Sequence, residues 1–440
     1  MSDYLPREYG AHGPGCQTSL SWFERLPDYI GRSSLLDDAL GALSLAFAGQ
    51  RHQNPEWIRE SERGYSMVVA KLYRLGGTRD AAQVADVIGA ALVLAIYQLY
   101  NCGTNQPQAW MIHIQAAWRL LEEQGPHMPI DRHLLRRVRT LALYDACGRR
   151  KSTFLATPRW RATAPREGEY DKLLDILLEL PSIQELLDET RLFGHTPDRF
   201  ESIKQRFIRL FNETETQFRV WYLSLLNNLA ECPFSIRTAT WDDLCLLHGS
   251  PDLMNVFPEV LEFPDRYTLQ LLLLAWLGFL ILHHEMSPIM QMLSITLERP
   301  HILLPRGPHG RRQWLNDECA LVAGNKKLTS TGESRTFHDI ERVADKFAER
   351  LCQALALCDK STHGSAMRQP VLPTFWAANQ FFRERDSRKF AWCQTVLRNF
   401  TSRGIRYGTE LATLSYQRYS EIGERLRLKS GYVRTESESP

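Results

Sequence analysis

The stretch Gln83–Pro126, QVADVIGAALVLAIYQLYNCGTNQPQAWMIHIQAAWRLLEEQGP, decides the fold class. Its first half, about Val84 to Tyr100, is apolar on nearly every side, with Val87, Ile88, Leu92, Val93, Ile96 and Leu99 spread around the helix. A helix of that kind belongs at the centre of a helical pack. Asn101, Gly103, Asn105 and Pro107 interrupt it, residues that tolerate turns or supply side-chain acceptors. The second half sets Trp110, Ile114, Ala117, Trp118 and Leu121 on one stripe at three-to-four-residue spacing and stops at Gly125-Pro126. Neither helix could stand alone in water, so the flanking chain must cover both.

Working outward, Ser34 with Asp37 reads as a capping box before a helix that buries Leu36, Ala39, Leu40, Leu43 and Phe47. Asn54-Pro55 opens the next helix, an acceptor side chain followed by a proline whose missing N–H costs nothing in the first turn. It carries Ile58, Tyr65, Val68, Val69 and Leu72 inward and ends at Gly76-Gly77. Asp131 caps a helix through Leu134, Leu135, Val138, Leu141 and Ala142 that ends at Gly148. Apolar periodicity predicts further helices over 169–180, 182–192, 198–229, 266–284, 285–298, 338–358, 373–385, 388–403 and 407–427. The proline-rich stretches 231–262 and 300–337 read as loops, and neither strand alternation nor a fixed repeat is visible. The expected fold is all-α, a large multi-helical domain in two closely packed helical lobes. An irregular lead-in (1–18) precedes an N-terminal lobe (19–299), a loop-rich connector (300–337), a C-terminal lobe (338–428) and a disordered polar tail (429–440).

The totals bound the function. A chain of 440 residues exceeds the usual single core, and 44% apolar with 24% charged residues is ordinary for a globular protein. A formal charge of +2 exerts no global pull towards DNA or anionic membranes. Nine cysteines without a C-x-x-C argue against a disulfide framework or a structural zinc cluster, and predict that most are reduced, buried thiols in an intracellular protein. The opening MSDYLPREYGAHGPGCQ has no apolar core of signal-peptide type. The run Leu269–Leu282, LQLLLLAWLGFLIL, falls short of the roughly 20 residues of a bilayer span and reads as a buried core helix. No membrane partner is expected.

Candidate chemistry is thin. His113, one turn after Trp110, could touch a ligand, but a packed core histidine is the better reading. In His283-His284-Glu285 the adjacent imidazoles diverge by about 100°, whereas zinc-binding helices place them four apart. Nucleotide-loop and nucleophile-elbow motifs are absent. The adjacent pairs Asp37-Asp38, Glu122-Glu123 and Asp242-Asp243 would point apart on a helix and read as solvated surface. One charge asymmetry stands out: ten basic residues between Asp131 and Arg166 against Asp131 and Asp145. Arg132, Arg136 and Arg139 share a face, which could meet phosphates or an acidic partner, with a solvated helix face as the commoner outcome. No residue is assigned a catalytic, cofactor-binding or metal-binding role, and no cofactor is implied.

In order along the chain, several segments nevertheless form a pattern. Leu20-Ser21-Trp22-Phe23, Leu26-Pro27 and Leu35–Ala42 come first, followed by Tyr65–Leu72. Leu92–Tyr100, Trp110-x-x-His113 and Ala116–Pro126 follow, then Phe154-Leu155 with Pro158-Arg159-Trp160. Late in the chain stand Leu351-Cys352-Gln353, Pro370–Ala377 and Trp392-Cys393 through Phe400. Together, over about 19–415, they resemble the regulatory domain of fungal zinc-cluster transcription factors, the fungal-specific transcription factor region. Gln98 stands where that pattern usually has an acid, and Ala116 where it has glycine. The family's six-cysteine zinc cluster, which carries its base-reading helix, has no counterpart in these residues. The resemblance implies a nuclear regulator of transcription, of a metabolic or secondary-metabolite gene set, and not an enzyme. It would act through contacts with a transcription factor or co-regulator, as a homo- or heterodimer partner, with DNA bound only indirectly or weakly. A small-molecule effector held in the aromatic core is a second expectation. An accessory protein or enzyme of a fungal biosynthetic pathway is the alternative.

Overall fold

The computed structural model describes residues 18, 21–75, 80–101, 109–164, 166–193, 197–229, 232–247, 250–293, 309–322, 336–355 and 368–436. They form the expected all-α, multi-helical architecture. In chain order the helices are α1 (Ser21–Glu24), α2 (Leu26–Tyr29), α3 (Ser34–Arg51), α4 (Pro55–Leu75), α5 (Ala81–Asn101), α6 (Ala109–Gln124), α7 (Arg132–Arg149) and α8 (Pro158–Thr163). Then come α9 (Glu169–Leu177), α10 (Leu180–Phe193), α11 (Pro197–Asn228), α12 (Arg266–Leu293), α13 (His309–Val322) and α14 (Phe337–Gln353). The last are α15 (Arg368–Phe382), α16 (Ser387–Asn399), α17 (Tyr407–Thr413) and α18 (Tyr416–Glu436). The described residues fall into two compact units, one from 21–164 with 394–436 and the other from Thr18 with 166–393, so the divisions near 165 and 393 lie away from 300–337.

The first unit is built on α5. Every residue from Val87 to Asn101 is buried, as its all-round apolarity requires. Helices α3, α4, α6 and α17 pack against it. The expected caps form at two of three places. The Asn54 carboxamide oxygen accepts the backbone N–H groups of Glu56 (2.9 Å) and Trp57 (3.2 Å). Asp131 Oδ1 accepts those of His133 (2.9 Å) and Leu134 (3.1 Å). At α3 the capping box is absent: Ser33 is the N-cap and makes no side-chain cap bond. Asp37 turns back to accept the Gly31 N–H at 2.9 Å, fastening a loop whose glycine has a φ of +82°.

The second unit is centred on α12, one continuous helix where two were expected up to Leu293; 294–298 lies outside the described residues. Gly278 decides how closely its neighbours approach: a Cβ there would lie 2.3 Å from Leu177 Cδ2 and 2.9 Å from the Phe218 ring. That close approach lets Phe218 stack on Phe279 at 4.0 Å, and Phe279 on Phe347 at 4.7 Å. By length and composition α5 and part of α12 could cross a bilayer, but most of their apolar windows, 78% and 94%, are buried against protein.

Three loop expectations are corrected. Within 231–262, β1 (Ser235–Thr238) pairs antiparallel with β2 (Glu259–Glu262), in register Ser235 to Glu262. Within 300–337, α13 is helical. The tail expected to be disordered (429–440) instead continues α18 to Glu436, with helix formers such as Glu424, Arg425 and Leu428 leading into it. The lead-in 1–18, except Thr18, and residues 437–440 lie outside the described residues.

Candidate functional site

Two buried polar centres, one in each unit, gather the side chains with chemical potential. The first lies between α4, α5 and α6. The Tyr65 and Tyr97 rings stack at 4.8 Å, and the Tyr65 hydroxyl is 2.9 Å from His113 Nε2. Asn101 Nδ2 donates to the Tyr97 hydroxyl at 2.6 Å, and Ser61 Oγ lies 3.4 Å from it. Gln98 adds a side-chain hydrogen bond to Tyr65. Burial pushes the His113 imidazole down to about 4 and the Tyr65 phenol up to about 12, so both are neutral at pH 7. The neutral ring carries one proton, and its tautomer sets which of Nε2 and the Tyr65 hydroxyl donates in this bond. His113 is thus the packed core histidine favoured by its sequence position.

The second centre ties four helices. Arg350 of α14 forms a two-pronged ion pair with Glu318 of α13, its Nη1 donating to Oε2 at 2.9 Å. Tyr222 of α11 donates its hydroxyl to the same Oε2 at 3.1 Å, and Trp276 Nε1 of α12 donates to the Tyr222 hydroxyl at 3.3 Å. The guanidinium is boxed by the rings of Phe234 (5.3 Å), Phe347 (5.5 Å) and Trp276 (5.6 Å). Burial works against the Arg350 charge, but the Glu318 carboxylate overrides it and its pKa ends above the ordinary value. In the same unit Glu215 pairs with Arg219, and His283 Nε2 stands 3.3 Å from Glu215 Oε1.

The three residues of the His283-His284-Glu285 run do diverge. His283 Nδ1 donates to the Phe279 carbonyl at 2.8 Å, His284 sits edge-on to Phe381 of α15, and Glu285 accepts from Gln184 of α10 at 3.2 Å. Full burial holds the His283 pKa below its ordinary value, partly opposed by Glu215. Among the described residues no three His, Cys, Asp or Glu side chains are grouped to hold a metal ion.

The basic run is corrected. Arg136, Arg137 and Arg139 are only 1%, 3% and 2% exposed, so they form neither a phosphate-contacting stripe nor a solvated face. Their helix α7 is covered by α1, α6 and α18, and each arginine is engaged within the chain. Arg137 lies 4.7 Å from the Phe23 ring centroid, and Arg149 pairs with Asp145 at 2.7 Å. The Tyr419 hydroxyl completes that contact, donating to Asp145 Oδ1 at 3.2 Å. Arg132, Lys151 and Arg159 remain exposed. Of the paired carboxylates, Asp243 is not solvated surface either: its side chain is buried and accepts Arg237 Nη2 at 2.8 Å and Thr240 Oγ1 at 2.7 Å, pinning the β1–β2 ribbon.

Sequence reasoning missed the Glu318–Arg350–Tyr222 centre, whose members are 96 and 32 residues apart and have no local signature. It also passed over Thr336 and Asp339, whose spacing does signal the capping box that opens α14.

No family model matches this chain, and no solved structure does. Over 148 residues, 32% of its length, it is 27% identical to an uncharacterized protein of Emericella nidulans. The match spans 31% of that relative.

The His113 centre makes a pH-dependent prediction. The folded-state pKa lies below the unfolded value, so the unfolded chain binds its proton first and stability falls as pH drops from about 6.5 towards 4. Between pH 7 and pH 5 the His113 contribution should be a loss of about 2 kcal/mol. Denaturant unfolding of the wild type and His113→Asn at both values checks it: the variant should lose less on acidification, by about that amount.

Proposed function

We propose that this chain is a transcription regulator built like the regulatory domain of fungal zinc-cluster factors, acting in the nucleus through protein contacts and not through direct reading of DNA. Its targets would be a metabolic or secondary-metabolite gene set, reached as a homo- or heterodimer partner of a transcription factor or as a co-regulator. The observation that carries this reading is the meeting of separated segments. Tyr65, Tyr97 with Gln98, and His113 come from three pieces of the family-like pattern and share one hydrogen-bonded, stacked centre. Trp118, Phe154 and Trp160, from two further pieces, pack with ring centroids 5.8 and 4.9 Å apart. Residues packed into such a core are architectural, and a neutral His113 bonded to tyrosine is a poor proton carrier. The relative from Emericella nidulans is consistent with a fungal setting. Exposed Met67 and Tyr73 on α4 offer apolar footholds to a partner.

The test fuses the chain to a heterologous DNA-binding module in a fungal reporter strain and measures its position and output. Nuclear accumulation and a change in reporter level, up or down, are expected, with weak and sequence-indifferent binding of the unfused protein to promoter DNA. Nanomolar binding to one promoter sequence at physiological salt would overturn the indirect mode. An inert reporter together with turnover of a small metabolite would favour a biosynthetic enzyme.

One observation favours an effector as well. Asn379 is fully buried in α15, and neither its amide nitrogen nor its oxygen has a hydrogen-bond partner. Phe375 and Phe382 flank it on the same stripe, and Trp392 lies 5.7 Å from Phe375. Phe257 joins Trp392 at 4.8 Å and Phe382 at 6.3 Å. A buried amide without a partner costs about 1–3 kcal/mol, which an effector supplying a donor and an acceptor would offset. Asn379→Leu should therefore stabilise the ligand-free chain by about that amount in urea unfolding. A destabilised variant would contradict this.

A further inference from the structure

We propose that Cys352 and Cys393 form a reversible disulfide under hydrogen peroxide, a redox modification that fastens α14 to α16. Their sulfurs lie 3.7 Å apart, in van der Waals contact, although the residues are 41 positions apart. Both are free and buried. Closing the bond to about 2.05 Å asks each sulfur to move by under an ångström, within reach of side-chain rotation.

The register that brings them together is fixed independently. Lys389 of α16 donates to Glu349 Oε1 of α14 at 3.0 Å and to Asp345 Oδ1 at 3.2 Å. Glu349 is three residues before Cys352, and Lys389 is four before Cys393. The ion pair and the sulfur pair therefore occupy successive turns of the same two facing stripes. Immediately before Cys393 on α16, Trp392 is held between Phe257 and Phe375, at 4.8 and 5.7 Å, so the helix has little freedom to slide. A fixed register and touching thiols are what a disulfide needs; chance proximity on a mobile loop would supply neither.

The chemistry balances with peroxide alone. One sulfur attacks a peroxide oxygen, an S–O bond forms, the O–O bond breaks, and the departing hydroxide takes a proton to become water. The second sulfur then attacks the sulfenic sulfur, the S–S bond forms, the S–O bond breaks, and a second water leaves with that thiol's proton. Two thiols lose two electrons and one peroxide gains them. Burial pushes the Cys352 thiol well above its ordinary pKa, and both sulfurs are covered, so the pair oxidises slowly, later than exposed Cys232. With both thiols at most 2% exposed, bulky disulfides such as oxidised glutathione are excluded.

The experiment treats the full chain with graded hydrogen peroxide, blocks free thiols with iodoacetamide in denaturant, and maps the peptides by mass. The expected product is a linked peptide joining Cys352 to Cys393, lighter than its two parts by two hydrogens and released by dithiothreitol. The oxidised wild type should melt at a higher temperature than the reduced, a shift absent from Cys393→Ser. Should that variant fold poorly, the wild-type map alone decides. Recovery of both cysteines alkylated after Cys232 has been oxidised would overturn the proposal. So would sulfinic acid at either position, a link to a different cysteine, or an unchanged melting temperature despite the link.

Discussion

The second unit depends on a buried charge. Arg350 has lost nearly all its water, and an isolated guanidinium in such surroundings would be costly. Glu318 returns the charge and two hydrogen bonds, Tyr222 takes up a remaining lone pair of that carboxylate, and three aromatic faces surround the cation. Each of the helices α11, α12, α13 and α14 gives one member to the set. A helix that rotated or slipped by one residue would strand at least one buried polar group. The pairing therefore specifies which helix faces meet, a demand that apolar packing alone makes only weakly.

The first unit uses the same principle with neutral groups. Tyr65, Tyr97, Asn101 and His113 complete one another's hydrogen bonds and hold α4, α5 and α6 in register. Burial keeps the imidazole uncharged, which suits a joint and not a proton relay. The arginines of α7 repeat the pattern, since Arg136 and Arg139 are among the largest fully buried side chains. Part of what reads along the chain as a basic surface, Arg136, Arg137 and Arg139, is spent inside the protein. Little cationic surface then remains on that helix to grip phosphates, in keeping with the proposed reliance on protein contacts.

The fold class was legible because α5 and α12 are apolar on all sides, and only a shell of other helices can cover such elements. Caps at Asn54 and Asp131 were legible because a short side chain beside the first turn is a local signal. Ser34 misled because Asp37 had a competing donor in Gly31, which the chain brings back only through a left-handed turn. The basic run misled for a related reason: helical periodicity gives a residue's face but not how many neighbours cover it. Arg350 and Glu318 were invisible, being joined by tertiary structure alone. So were Cys352 and Cys393, whose spacing suggested nothing until α14 and α16 were placed side by side. The divergence of His283, His284 and Glu285 was legible in full, because the 100° step between adjacent helical residues is fixed by the backbone.

If the ionisable side chains are architecture, removing half of a buried pair must cost far more than removing the whole. The direct measurement is a double-mutant cycle on Glu318→Leu and Arg350→Met, read by urea unfolding. Each single variant should lose about 3–5 kcal/mol, and the double variant should regain most of that, giving a coupling above about 2 kcal/mol. Additive losses, or single variants within about 1 kcal/mol of the wild type, would show that the helices do not depend on this pair and would contradict the account.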